Sequence, residues 1–335
     1  MLRQVRAADA ANLAARRSDP DTARFQSWET PYPLEQARSL IAAVLEMHGP
    51  ASDEWYLIAV ADPATDQMLG DLAVYLKWEG RTAQIGYTFN PQARGRGLAT
   101  EAVSALLEHL FAAADLTRVE ASIHPDNVAS ARVLERTGFL YEGLTRSDFW
   151  VGDVVSDTGH YAMLRLDFDA WRTRPRRAPD LVRLVELNSR NEREVLALKT
   201  HKTQEAFVAK MEASFADAMF PEVVDGAQVL PWLRAVEADG EIVGFVMLAL
   251  TTDSHPEPYL WRLLVDRHHQ FRGIGRQVLD AVVLRCLEWG DVSLTTSWGK
   301  GPGSPEPFYL AYGFEPTGRV LDGEIEARLS LDPSS

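Results

Sequence analysis

Apolar residues alternate or run together in short stretches, and polar turn residues separate these stretches. Residues 55–60 and 68–76 are two such runs, split by Ala61-Asp62-Pro63-Ala64-Thr65-Asp66, and they read as strands joined by a turn. Residues 83–89 form a third. The period then changes. Val103, Leu106, Leu107, Leu110 and Phe111 recur at helical spacing and predict a helix over 100–113. A strand follows at 118–123, then a helix over 129–137 stopped by Gly138, then a strand at 161–166.

The same order returns further along the chain. After a strand at 181–187, residues 231–236 and 241–248 flank Asp239-Gly240, a strong hairpin signal. Residues 259–265 form a strand, 275–289 a helix, 292–296 a strand and 306–312 a short helix. The repeat spans about 175 residues, which is a domain duplication rather than a solenoid. Between the copies, residues 169–179 carry two prolines and four arginines and read as a linker. At 335 residues the chain is natural for two domains, 1–168 and 180–335. Strands alternating with helices predict an α/β class with mixed sheets.

Each copy places a glycine turn between a strand and a helix. Arg94-Gly95-Arg96-Gly97-Leu98-Ala99 recurs as Gln270-Phe271-Arg272-Gly273-Ile274-Gly275, and each is followed by a Gly-Phe pair, Gly138-Phe139 and Gly313-Phe314. A tight turn leading into a helix N-terminus gathers backbone N–H groups into an anion site. Glycine lets the backbone approach a phosphate with no Cβ in the way. Arg96 and Arg276 could add charge.

This whole context resembles the GNAT superfamily of acyl-CoA-dependent N-acyltransferases. The segment from Phe89 through the turn to Thr100 and Ala102 resembles its strand, pyrophosphate turn and helix. The stretch His124 to Phe139 is similar to the branch that acetylates N-termini of ribosomal proteins, and there Asn127 and Ser130 would lie beside the coenzyme arm. Residues 30–37 are similar to that branch's substrate-side helix start. In the second copy, 260–270, including Leu264 and Val265, and the ending 308–318 resemble diamine and polyamine acetyltransferases. Phe271 departs from the pattern, since such turns usually carry glycine. The resemblance implies two tandem GNAT domains, acetyl-CoA as cofactor, and direct attack of an amine on the acetyl thioester.

That reaction needs a base for the amine and donors for the developing oxyanion, which backbone N–H groups of a splayed strand would supply. The leaving thiolate needs an acid, in many members a tyrosine. Counting back from the Gly-Phe pairs sets Leu134 opposite Tyr309, and only Tyr309 can donate a proton. The expectation is therefore that the second domain is catalytic, with Tyr309 as acid, and that the first is impaired. Where the ribosomal branch often has a glutamate base, this chain has Gln84. By simple spacing the second copy has Leu260 there. Glu205, Glu212, Asp217 and Glu222 are the remaining carboxylates to weigh, each also readable as a solvated helix face.

The net charge is −14. Residues 1–168 hold 15 basic and 23 acidic groups (−8), 169–179 hold four and one (+3), and 180–335 hold 15 and 24 (−9). A broad nucleic-acid surface is not expected. An acidic field favours a cationic acceptor such as a polyamine, or serves solubility alone. No apolar run nears 20 residues, and the first ten residues lack a signal-peptide core, so no membrane span and a cytoplasmic monomer or homodimer are expected. The single Cys286, on an apolar helix face, excludes an internal disulfide framework. The adjacent His268 and His269 would face apart, so no metal site is expected. Trp232, Trp261 and Trp298 could line an amine pocket or belong to the core. Two other readings stand beside an amine acetyltransferase: a first domain that acetylates peptide N-termini, and a first domain that only senses acetyl-CoA.

Overall fold

The computed structural model describes residues 1–331 except 53, 113, 114 and 225. The chain divides into two compact units, Met1–Thr173 and Arg174–Ser335.

The first unit contains β1 (Leu2–Gln4), α1 (Ala10–Ser18), α2 (Pro20–Ala23), α3 (Leu34–Glu46), β2 (Trp55–Ala61), β3 (Met68–Lys77) and β4 (Thr82–Phe89). It continues through α4 (Leu98–Ala112), β5 (Arg118–Ile123), α5 (Val128–Arg136), β6 (Leu140–Val151), β7 (Val154–Leu164) and α6 (Arg165–Thr173). Its strands form one seven-stranded sheet in the order β1-β2-β3-β4-β5-β7-β6, with only β4 and β5 parallel. The alternation along β4 divides two cores. Ala83, Ile85 and Phe89 pack with Val103, Leu106 and Leu107 of α4, while α1 and α3 cover the other face through Leu13, Ile41 and Val44.

The second unit contains β8 (Val182–Val185), α7 (Glu192–Ala197), α8 (Met211–Met219), the short pair β9 (Val223–Val224) and β10 (Ala227–Gln228), β11 (Pro231–Ala238) and β12 (Glu241–Ala249). Then come β13 (Tyr259–Val265), α9 (Ile274–Trp289), β14 (Ser293–Trp298), α10 (Glu306–Tyr312), β15 (Glu315–Leu321) and β16 (Glu324–Ser330). Read from β8, its sheet runs β8-β11-β12-β13-β14-β16-β15, the strand order of the first unit. Both sheets are mixed, and the sequence repeat is a structural repeat.

Some boundaries differ from the pattern. The strand expected over 161–166 ends at Leu164, where the backbone N–H donates to Asp167 Oδ2 (3.0 Å) and starts α6. That helix takes in residues 169–173 of the proline- and arginine-rich stretch. The helix expected to reach residue 113 is described to Ala112; residue 113 lies outside the described residues. Cys286 is buried in the α9 core, and burial pushes its thiol up to about 12, so it packs as a small hydrophobe.

His201, in the loop after α7, is also buried. Desolvation, with Arg267 close by, pushes it from the ordinary 6.5 down to about 4. The folded state therefore holds it neutral where the unfolded chain would protonate it. This contribution is intact above pH 6.5 and is lost as pH falls toward 4, by about 3 kcal/mol in total. Urea midpoints of the intact chain should drop over that window, and a His201→Gln variant should drop less. Equal slopes would remove His201 as the cause.

Candidate active site

In the first unit, β4 exits through a 3-10 turn, and α4 starts immediately after Gly97. Gly95 (φ 71°) and Gly97 (φ 78°) both occupy the left-handed region, which glycine adopts without steric cost. A Cβ built on either would meet nothing within 4 Å, so the space above the turn is open. The first intrahelical bond is from Glu101 N to Gly97 O, and the N–H groups before it have no intrahelical partner. Open space, glycine backbone and a helix N-terminus fit a pyrophosphate. Arg96 is exposed beside them. Arg94 is engaged elsewhere: Nη2 reaches Asp19 Oδ2 (3.2 Å) and Thr22 Oγ1, tying the turn to α2.

The second unit has the same backbone with different side chains. Gly273 (φ 76°) matches Gly97, and Phe271 (φ 61°) takes the conformation of Gly95 with its ring 82% exposed. Gly275 serves packing instead, because a Cβ there would lie 3.2 Å from the Phe308 ring. Arg272 turns inward, donating to Arg177 O and His269 Nδ1, both at 2.8 Å. The Gln270 amide folds back onto Val265 O (3.0 Å) and Gln204 (2.9 Å). The side chains of Ile274, Leu264 and Val265 pack into the cores flanking the sheet, so backbone is what these positions offer a ligand. Arg276 is exposed, its guanidinium 5.6 Å from the Tyr312 ring.

Both sheets open where the parallel pair should continue. In the first unit, β4 and β5 pair only from Thr82–Arg118 to Gln84–Glu120. In the second, β13 and β14 pair only at Tyr259–Thr295. Beyond these points the strands diverge, and the facing backbone N–H groups of β4 and β13 are free of the ladder on that side.

The vertex corrects the position expected for a base. The ladder of β12 and β13 slips at Met247–Leu248, where Leu248 pairs with Leu260 and Met247 with Arg262, leaving Trp261 as a bulge. In the first unit Val74 pairs with Ile85 and Tyr75 with Gln84. Matching the two ladders from Gly70–Phe89 and Gly244–Val265 therefore puts Tyr259, not Leu260, at the place of Gln84. Simple spacing missed this because a bulge inserts one residue without changing the apolar character of the run.

Tyr309 sits on the α10 side of the second vertex, 7% exposed and stacked on Trp298. Its hydroxyl lies beside Thr296, one residue beyond the last paired position, and Thr296 Oγ1 donates to Leu260 O (3.1 Å). Burial raises the phenol's pKa and keeps it protonated. Its counterpart Leu134 is fully buried core. The first unit carries a different hydroxyl in the corresponding cleft. Tyr87 of β4 donates to Ser130 O (3.0 Å) and accepts from Ser130 Oγ (2.8 Å). Asn127 caps α5 by accepting from Ser130 N (3.1 Å), so both residues expected beside the coenzyme arm have side chains bonded within the protein.

The other carboxylates weighed as bases are ion-paired or exposed. Glu205 pairs with Lys202 (2.7 Å), Asp217 with Arg262 (2.9 Å), and Glu212 and Glu222 are exposed. The three tryptophans do not share a pocket: Trp298 is core, Trp232 packs edge-on against Trp289, and Trp261 packs beneath α7 and α8. Among the described residues no three His, Cys, Asp or Glu side chains gather as a metal site. No described helix is long and apolar enough to cross a membrane.

The sequence pattern also gave no sign of a cavity of about 610 Å³ in the first unit. It lies between the loop after α2 (Arg24, Phe25, Trp28, Glu29), the end of β5 (Ser122, His124) and the β6–β7 hairpin (Phe149, Asp157). The rings of Phe25 and His124 meet across it at 5.0 Å.

Comparison with known proteins follows the two-unit division. Residues 1–140 match the family described as Acetyltransferase (GNAT) domain, and residues 195–301 match Acetyltransferase (GNAT) family. Uncharacterized N-acetyltransferase p20 of Bacillus licheniformis is 30% identical over 168 residues, 50% of this chain and 93% of that protein. Probable N-acetyltransferase YjcK of Bacillus subtilis is 33% identical over 117 residues, 34% of this chain and 65% of that protein. Ribosomal-protein-serine acetyltransferase of Escherichia coli is 31% identical over 84 residues, 25% of this chain and 47% of that protein. The chain belongs to the GNAT family of acetyltransferases. It is an acetyl-CoA-dependent N-acetyltransferase with two GNAT domains in tandem.

Proposed function

We propose that the second domain acetylates the primary amine of a small cationic acceptor, with Tyr309 as the acid that protonates the leaving thiolate. The observation that carries this reading is the Tyr309 hydroxyl, held protonated at the vertex of β13 and β14. Beside it, Thr296 Oγ1 donates to Leu260 O (3.1 Å). Acetyl-CoA supplies an activated thioester. The backbone of Gly95–Thr100 in one unit and Gln270–Arg276 in the other, with the Arg96 and Arg276 guanidiniums, would hold its pyrophosphate. The acidic balance of the domain favours a cationic acceptor. The reading includes a cytoplasmic protein acting as monomer or homodimer.

A second reading rests on the cavity of the first unit. Aromatic walls with Glu29 and Asp157 suit a protonated amine, and similarity to a ribosomal-protein-serine acetyltransferase favours a peptide N-terminus as that amine. If neither chemistry occurs there, the first cradle serves as an acetyl-CoA-binding module.

Calorimetric titration of acetyl-CoA, paired with spermidine acetylation by the intact chain, tests both. We expect two sites. Gly97→Val forces φ +78° on a branched residue, costing about 1–2 kcal/mol, and puts a side chain into the open cradle. One site should vanish while spermidine turnover persists. Gly273→Val should remove the other site and the turnover. The reverse pattern would move the reaction to the first domain, and no binding by the parent chain would sink the acetyl-CoA cradle itself.

A further inference from the structure

Tyr259 does not end at its ring. Its hydroxyl lies 2.6 Å from Ser297 Oγ, and Ser297 Oγ donates to Glu324 Oε2. The direction of this chain is determined by proton count. Ser297 has one hydroxyl proton, directed to Glu324, so Tyr259 must be the donor to Ser297. The Tyr259 oxygen is then left with lone pairs for a further donor. The chain lies on the sheet face opposite Tyr309. Along β14, Leu294, Thr296 and Trp298 face α9 and α10, and Ser297 faces the other way.

We propose that Tyr259, Ser297 and Glu324 form the proton relay that deprotonates the acceptor amine in the second domain. This rests on the reading that the second domain is catalytic. An N–H bond of the acceptor ammonium breaks, and its proton passes to the Tyr259 oxygen. The Tyr259 proton passes to Ser297 Oγ, and the Ser297 proton to Glu324 Oε2. Each hydroxyl gives one proton and receives one. The amine keeps its lone pair as nucleophile, and Glu324 becomes a neutral acid that returns its proton to water.

The surroundings leave Glu324 as the receiver. Of the charged groups facing Tyr259, Glu326 is held by Arg319 (2.7 Å) and Thr317, and Arg262 by Asp217 (2.9 Å). Burial raises the Tyr259 phenol's pKa, so it conducts protons and does not store negative charge. The first unit lacks this device: Gln84 stands at the vertex, and its neighbour Glu120 is bound by Lys77 (2.7 Å) and Arg118 (3.0 Å). A carboxylate so held is a poor proton acceptor.

The test uses the full chain and two acceptors: spermidine, whose amines are protonated at neutral pH, and methoxyamine, whose amine is already neutral. For Glu324→Gln and Tyr259→Phe, we expect kcat/KM with spermidine to fall on the order of 10²-fold at neutral pH and to recover as pH rises. With methoxyamine both variants should stay within about twofold of the parent, because no proton need be removed. A merely structural role would lower both acceptors alike, and that result overturns the relay. Tyr309→Phe is measured alongside. If it is impaired while Glu324→Gln matches the parent at every pH, the relay alone is wrong. If both match the parent, the siting of the reaction in the second domain fails and the relay fails with it.

Discussion

Tyr309→Phe should lower kcat by roughly 10²–10⁴-fold, the usual worth of a positioned acid. The substitution removes one oxygen and nothing else from a ring stacked on Trp298 and packed against Phe314. Acetyl-CoA affinity and the unfolding midpoint should therefore stay close to the parent's. The loss should be smallest for thioesters with an acidic thiol, because such a leaving group needs less help. An unchanged kcat would return Tyr309 to the core as a packing residue and leave protonation of the thiolate to water.

The second large effect is on stability. Arg16 of α1 has a fully buried side chain, ion-paired to Asp71 of β3 and bonded to Thr88 (3.2 Å), Asn12 (2.7 Å) and Asn90 (3.0 Å). Asp71→Ala strands that guanidinium without its counter-charge, which should cost about 3–5 kcal/mol. Tm of the first unit should drop by roughly 10 °C. The second unit shows what an apolar solution looks like: the ladder puts Phe245 and Leu264 where the first has Asp71 and Thr88, both buried beneath α8. Converting Arg16 and Asp71 together to Met and Leu should recover most of the loss. If the double variant is as unstable as Asp71→Ala, the polar knot matters for its geometry and not for its charge balance. Because Asn90 precedes the glycine turn, Asp71→Ala should also weaken acetyl-CoA binding in the first domain.

Much of the architecture was written locally. Strands 55–60, 68–76 and 83–89 and the helix after each glycine turn follow from period and turn residues alone, and the structure moves their ends by a residue or two. Gly95, Gly97 and Gly273 were legible because a positive φ selects glycine. Tyr309 was legible because the Gly-Phe pairs align two helices that end in the same way, with Phe139 N on Leu134 O and Phe314 N on Tyr309 O, each 3.0 Å. Strands β6, β15 and β16 were not: β6 and β15 have only exposed and half-buried residues, and the buried pair in β16, Glu326 and Ala327, is adjacent and does not alternate.

What the sequence determined by itself is the duplication, the strand-turn-helix cradle in each copy, and that Tyr309 stands where the first copy has Leu134. These depend on neighbours a few residues apart. What only the tertiary structure decided depends on pairing between distant strands. The bulge at Trp261 moves Tyr259 to the vertex, and Ser297 and Glu324 reach it from β14 and β16, 38 and 65 positions along the chain. A register slip leaves no trace in apolar periodicity, because the inserted residue is as hydrophobic as its neighbours. The partners of Arg94 and Arg272 depend on tertiary structure in the same way. Both belong to the turn motif, and both spend their guanidiniums on protein acceptors, Asp19 and Thr22 for one, Arg177 O and His269 for the other, that only folding brings within reach.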